Sequence, residues 1–143
     1  MARSGYRYLA NIALADIAFR ARGDSLDSLF EACARALTEV MVDRKTVAGR
    51  VARVVKVAAD DVDGLLYDFL SQLILLKDVD SLLFKSFEVS ISRDKGHLRC
   101  KMKGETIDRG RHKLRNDVKA VTMHLFGVKR ARGGFEATVI LDI

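Results

Sequence analysis

The 143-residue chain has no proline and only two cysteines, Cys33 and Cys100. With no proline, Ser/Gly-rich linker, low-complexity tract or internal repeat, nothing marks a boundary, so residues 1–143 are expected to form a single domain around one core. The two cysteines stand in no CxxC or Cys/His spacing, which argues against a sulfur-based metal site. One falls on a helical apolar stripe and the other at an inward strand position, so both are expected as reduced, buried thiols. No apolar run reaches the ~20 residues of a bilayer span, and no apolar segment with a small-residue cleavage site follows Met1. A cytoplasmic protein without membrane association is the expectation. Also missing are GxSxG, Walker, GxGxxG and HExxH signatures, and the three histidines, His97, His112 and His124, are scattered. No nucleophile-base pair can be assembled, so no catalytic residue is assigned.

What the chain does have is 49% apolar and 31% charged residues, the balance of a globular protein. Its net charge of +6 is unevenly distributed. Residues 1–92 hold 12 basic and 13 acidic side chains, whereas residues 93–143 hold 13 and 6. The basic character therefore belongs to the C-terminal third, where it either steers a polyanion such as RNA or an acidic protein surface, or simply solvates a face.

Periodicity divides the chain into strands and helices. Ala15, Ile17, Phe19 and Ala21 alternate with Asp16, Ala18, Arg20 and Arg22, a half-buried strand ended by Gly23. Asp24 or Ser25 then caps a helix with apolar residues from Leu26 to Met41 at three- and four-residue steps. A strand rich in β-branched residues follows around Val51–Val57, and Asp60-Asp61 opens a second helix striped by Val62, Leu65, Leu66, Phe69, Leu70, Leu73 and Ile74. From residue 83 the period changes to two. A hairpin turns at Asp94-Lys95-Gly96, placing Leu98, Cys100 and Met102 on one face and His97, Arg99, Lys101 and Lys103 on the other. After a basic loop containing Arg109, Arg111, His112, Lys113 and Arg115, two strands are predicted at about residues 117–128 and 135–142, flanking Gly133-Gly134. The implied class is α+β, two helices packed on a mostly antiparallel sheet.

Asp142 closes an otherwise apolar strand and lies beside the chain's terminal carboxylate on Ile143. Adjacent anions repel unless a cation offsets them, and a hard ion such as Ca²⁺ or Mg²⁺ would do so through oxygen ligands. Asp16 is a third candidate ligand. The alternative is that both aspartates are merely solvated.

Four segments carry a resemblance to the archease family. Ala13-Leu14-Ala15-Asp16-Ile17-Ala18-Phe19-Arg20-Ala21-Arg22-Gly23 resembles the family's opening His-Thr-Ala-Asp-Val/Ile-Gly-Ile-Arg-Ala/Gly-Tyr-Gly. Leu65-Leu66-Tyr67-Asp68-Phe69-Leu70 is similar to its helical Leu-Leu-Tyr-x-Trp/Phe-Leu. Asp117-Val118-Lys119-Ala120-Val121-Thr122-Met123-His124 resembles its Glu-Val-Lys-Ala-Val/Ile-Thr-Tyr-His, and Leu141-Asp142-Ile143 its terminal Asp-Ile. The resemblance implies a metal site of Asp16, Asp142 and the Ile143 carboxylate holding Ca²⁺ or Mg²⁺. It also implies a non-enzymatic cofactor that promotes guanylylation and multiple turnover of an RtcB-type tRNA-splicing RNA ligase, or else a chaperone of a tRNA methyltransferase, with tRNA a further partner. Two departures stand out: Ala13-Leu14 replaces His-Thr, and Ala18 replaces glycine. Lys119, with Arg111, His112, Lys113 and His124, is assigned to contacts with phosphate or the partner. For Lys119 an edge-strand role against aggregation is the competing reading. Two further readings compete with the activator, a sequence-independent RNA binder and a small metal-dependent phosphoesterase. The first is weakened by a C-terminal third with few aromatics for base stacking, the second by the lack of a general base with a defined partner.

Overall fold

A computed structural model of the chain describes residues 3–10 and 16–143. The first two strands, β1 (Ser4–Leu9) and β2 (Asp16–Gly23), pair antiparallel. In β2 Phe19 and Ala21 are buried while Arg20 and Arg22 face away, but Ala18, expected on the outward face, is also fully buried. Gly23 ends the strand against the start of α1 (Leu26–Met41), where a Cβ would come within 2.4 Å of the Leu29 amide nitrogen. Only glycine allows that approach. Ser25 is the cap: its hydroxyl accepts from the Ser28 amide at 3.1 Å, and the Ser28 hydroxyl accepts in return from the Ser25 amide.

Strand β3 (Val51–Ala58) leads to α2 (Val62–Asp80), capped by the Asp61 carboxylate accepting from the Gly64 amide at 2.7 Å. Then come β4 (Leu82–Ile91) and β5 (His97–Thr106), whose hairpin carries Lys95 at φ 62° and an Asp94 carboxylate accepting from the Gly96 amide. The last strands are β6 (Ala120–Val121), β7 (Gly127–Ala131) and β8 (Gly134–Asp142).

Two helices on antiparallel sheets is the α+β class the sequence implies, but the strands form two sheets instead of one. The first has the order β1-β2-β8-β6, with β7 also paired to β8; the second is β3-β5-β4. Helix α1 packs against β1, β2 and β8 of the first sheet and β4 of the second. It is buried almost all round, through Leu29, Phe30, Ala32, Cys33, Ala34, Ala36, Leu37 and Val40. A helix in that position cannot be a narrow-striped surface helix. Helix α2 joins the same core, and the Phe30 and Phe69 rings stack at 6.2 Å between centroids. Both cysteines are free and buried; burial raises the Cys33 thiol and pushes Cys100 up to about 12.

One predicted strand is not continuous. Residues 117–128 divide into β6 and β7, which pair in turn with the two halves of β8. Between them the chain turns at His124-Leu125, with Leu125 at φ 55° and with Met123 and Leu125 about two-thirds exposed (68% and 65%). A left-handed residue interrupts the ladder, which an apolar pattern alone does not reveal. No helix among the described residues is long and apolar enough to cross a membrane.

Candidate metal and partner-binding site

The antiparallel ladder of β2 and β8 places Asp16 directly opposite Asp142. Residues facing each other across such a pair hold their Cβ atoms about 5 Å apart on one face of the sheet. On the other side of β8, Asp142 faces Ala120, and its carbonyl accepts from the Lys119 amide at 2.8 Å. Two aspartates distant in sequence and Lys119 thus meet at one end of the first sheet. Both aspartates are partly buried and Lys119 is exposed. Among the described residues neither carboxylate accepts a hydrogen bond or forms an ion pair, and Lys119 has no carboxylate partner. Ile143 is partly buried against the core, which fixes the main chain just after Asp142.

The donor set fits a hard cation in kind: two carboxylates side by side at the end of a ladder, with no counter-charge among the described residues. It is incomplete by side chains alone, since no three Asp, Glu, His or Cys residues among those described converge as a metal site. Ala13 and Leu14, which replace the family's His-Thr, lie outside the described residues.

The segment carrying Lys119 is tied down on both flanks. Asp43 and Lys113, Met41 and Arg115, and Val40 and Asn116 are joined by backbone bonds of 2.8–3.0 Å, which gives carbonyls in the last turn of α1 their acceptor role. From α2, the buried Lys77 ammonium donates to the Val118 carbonyl at 2.8 Å and pairs with Asp117 and Asp78. Burial opposes its charge, but the hydrogen bonds it donates to Asp117 and Asp78 outweigh that and hold its pKa above the ordinary lysine value. Lys77 positions Val118, and with it Lys119.

In the basic loop His112 is buried, while Arg109, Arg111, Lys113 and Arg115 are exposed. Glu105, 3% exposed, accepts both Arg111 guanidinium nitrogens at 2.7 and 2.9 Å, the Ala48 amide at 2.6 Å and His112 Nε2 at 2.7 Å. Those donors, the Arg111 fork foremost, hold the Glu105 carboxyl well below the usual range. His112 is buried and its Nδ1 accepts from the Asp108 amide, so the proton sits on Nε2 and both ring nitrogens are used. His112 keeps no ring nitrogen free for phosphate or a partner, whereas Arg111 is exposed and gives Glu105 two of its five N–H donors. Lys113 is exposed with no ion pair among the described residues, and His124 is exposed in the β6–β7 turn between Met123 and Leu125. Sequence reasoning missed Glu105, although it is the only acid between Asp94 and Asp108, a sign of an internal ion pair in a basic stretch.

The Archease protein family model matches residues 6–143. The chain is 39% identical over 132 residues to a protein archease of Pyrococcus abyssi, covering 90% of this chain and 93% of that one. It is 40% identical over 131 residues to that of Methanothermobacter thermautotrophicus, with the same coverage. The solution structure of Methanobacterium thermoautotrophicum protein 1598 superposes with a TM-score of 0.85 at 38% identity, over 97% of this chain and 99% of that one. A Thermotoga maritima protein described as an archease and possible chaperone shares the fold at 18% identity, with a TM-score of 0.65 over 94% and 96% of the two chains. On sequence and fold together, the chain belongs to the archease family.

Proposed function

We propose that this chain is a cytoplasmic protein cofactor, without turnover of its own, that activates an RtcB-type RNA ligase by promoting its guanylylation. The observation that carries the reading is the register of β2 and β8, which sets Asp16 and Asp142 face to face with no ion-pair partner among the described residues. A Ca²⁺ or Mg²⁺ ion held there by the two aspartates and the Ile143 carboxylate would supply positive charge for phosphate oxygens. The chain's own residues supply the rest. Lys119 brings an exposed ammonium to the same ladder end, held in place by its amide bond to Asp142 and by Lys77 beneath Val118. Met123 and Leu125 present apolar surface on either side of His124, a feature that suits a protein partner at the edge of the site. Lys113 and the outward Arg99, Lys101 and Lys103 add the long-range attraction that speeds encounter with an anionic complex.

The experiment is guanylylation of the host's RNA ligase with radiolabelled GTP, with and without this protein. Faster label incorporation with wild type than with Asp16→Asn is the expected result. Equal incorporation with wild type, the variant and no added protein would dispose of the reading.

A further inference from the structure

We propose a second binding site, an arginine-lined cleft for the sugar-phosphate backbone of single-stranded nucleic acid, at the opposite end of the first sheet from Asp16 and Asp142. The cleft has a volume of about 930 Å³ and draws Arg3 and Arg7 from β1 and the residue preceding it, Arg20 and Arg22 from β2, and Arg132 from the β7–β8 turn. Four to six residues of β2 separate it from Asp16, roughly 13–20 Å along the strand. It stands apart from the metal reading.

The electrostatics point to an absent anion. Arg7 and Arg20 are directly opposed in the β1–β2 ladder, and like charges in that arrangement destabilise a sheet. Glu136 offers only partial relief: it lies 3.6 Å from Arg20 and the same distance from Lys129, shared between two cations. The Arg20 Nε is sealed from solvent and donates to no acceptor among the described residues. Asp24 is occupied by the Arg3 backbone amide at 2.7 Å. The lining thus carries five guanidinium groups against two carboxylates.

The shape points to a chain of phosphates instead of one. Arg22 faces Gly5 across the ladder, and a Cβ added at Gly5 or at Gly133 would meet nothing within 4 Å, so the cleft stays open along its length. Arg20 and Arg22 are two residues apart on one strand face, about 6.7 Å, a spacing like that of successive phosphates in an extended strand. Guanidinium forks match phosphate oxygens two at a time. An acidic peptide fits less well: the arginines stand on the face of the sheet and not along the free edge of β1, and the lining offers no exposed apolar anchor. With Tyr6 on the core-facing side of β1, opposite Ala21, bases have no stacking platform, and recognition is through the backbone without sequence preference.

The test is fluorescence anisotropy of the full chain with labelled oligouridylate across about 50–200 mM salt. Arg7→Gln/Arg22→Gln is compared with Lys56→Gln/Lys85→Gln, which removes the same charge from exposed positions of the second sheet. Loss of two phosphate contacts should lower the log-log salt slope by about 1.4 for the cleft variant, at about 0.7 per contact on a single strand. The control should change it by less than half as much. Arg3→Gln/Arg7→Gln, which leaves the Arg22 bond to the Arg132 carbonyl intact, should weaken binding similarly. Equal weakening by cleft and control variants, no binding by wild type, or displacement by polyglutamate as effective as by unlabelled oligouridylate would each overturn the proposal.

Discussion

Replacing Asp16 by asparagine keeps the shape of the side chain and removes one of two opposed charges, so its effect on stability should change sign with metal. Two carboxylates carried on Cβ atoms about 5 Å apart, taken at about that separation and at an effective dielectric between about 20 and 80, repel by about 1–3 kcal/mol. Solvent reaches both aspartates, which brings the usable figure toward the lower end. For a chain of this length about 1 kcal/mol corresponds to about 4 °C in melting temperature. In EDTA, Asp16→Asn should therefore melt a few degrees above wild type. With Ca²⁺ or Mg²⁺ at a hundred times its dissociation constant, wild type gains about 2.7 kcal/mol, or about 10 °C, and the variant only a fraction of that. Thermal melts of both proteins with and without metal should thus cross in order. If Asp16→Asn melts below wild type in EDTA, the facing aspartates do not repel significantly; if metal raises both equally, they do not hold an ion.

Three further outcomes follow from the packing. Lys119→Ala should leave stability within about 0.5 kcal/mol of wild type, as at other exposed positions, yet reduce stimulation of ligase guanylylation several-fold; a Lys119→Glu protein that folds and stimulates as wild type does would leave only the edge-strand role. Because Glu105 has its pKa lowered in the fold, its contribution is fully present above the unfolded value of about 4.3 and declines as pH falls below it, so urea melts of Glu105→Gln should show a flatter acid limb than wild type. Phe69→Ala removes a fully buried ring stacked on Phe30 and should cost about 3–5 kcal/mol, measured by chemical denaturation; a loss under about 1 kcal/mol would mean that the helices are not joined through this contact.

Local physics was legible in the sequence wherever it was periodic or capped. The Ile17/Phe19/Ala21 alternation, the Ser25 and Asp61 caps and the Asp94-Lys95-Gly96 turn all occur in the fold at the expected places. The proximity of Asp16 and Asp142 was not periodic information; the resemblance to archeases suggested it, and strand register supplies the cause. The arginine cleft was hidden by averaging. Four of its five arginines lie in the first 92 residues, where net charge is slightly negative, and they meet only because β1, β2 and the β7–β8 turn adjoin. Conversely, a charge count over the basic loop cannot show that a buried glutamate holds Arg111 and His112. The division of one apolar stretch into β6 and β7 rests on a single positive φ at Leu125, for which leucine gives no local signal.

The most direct test of the central claim is a multiple-turnover ligation assay with the host's RNA ligase at a small fraction of its RNA substrate, in the presence of Ca²⁺ or Mg²⁺. Product formation should be sustained when wild-type protein is added, and should stall near a single round per ligase when it is omitted or replaced by Asp16→Asn/Asp142→Asn. Equal product accumulation in all three reactions would contradict that claim.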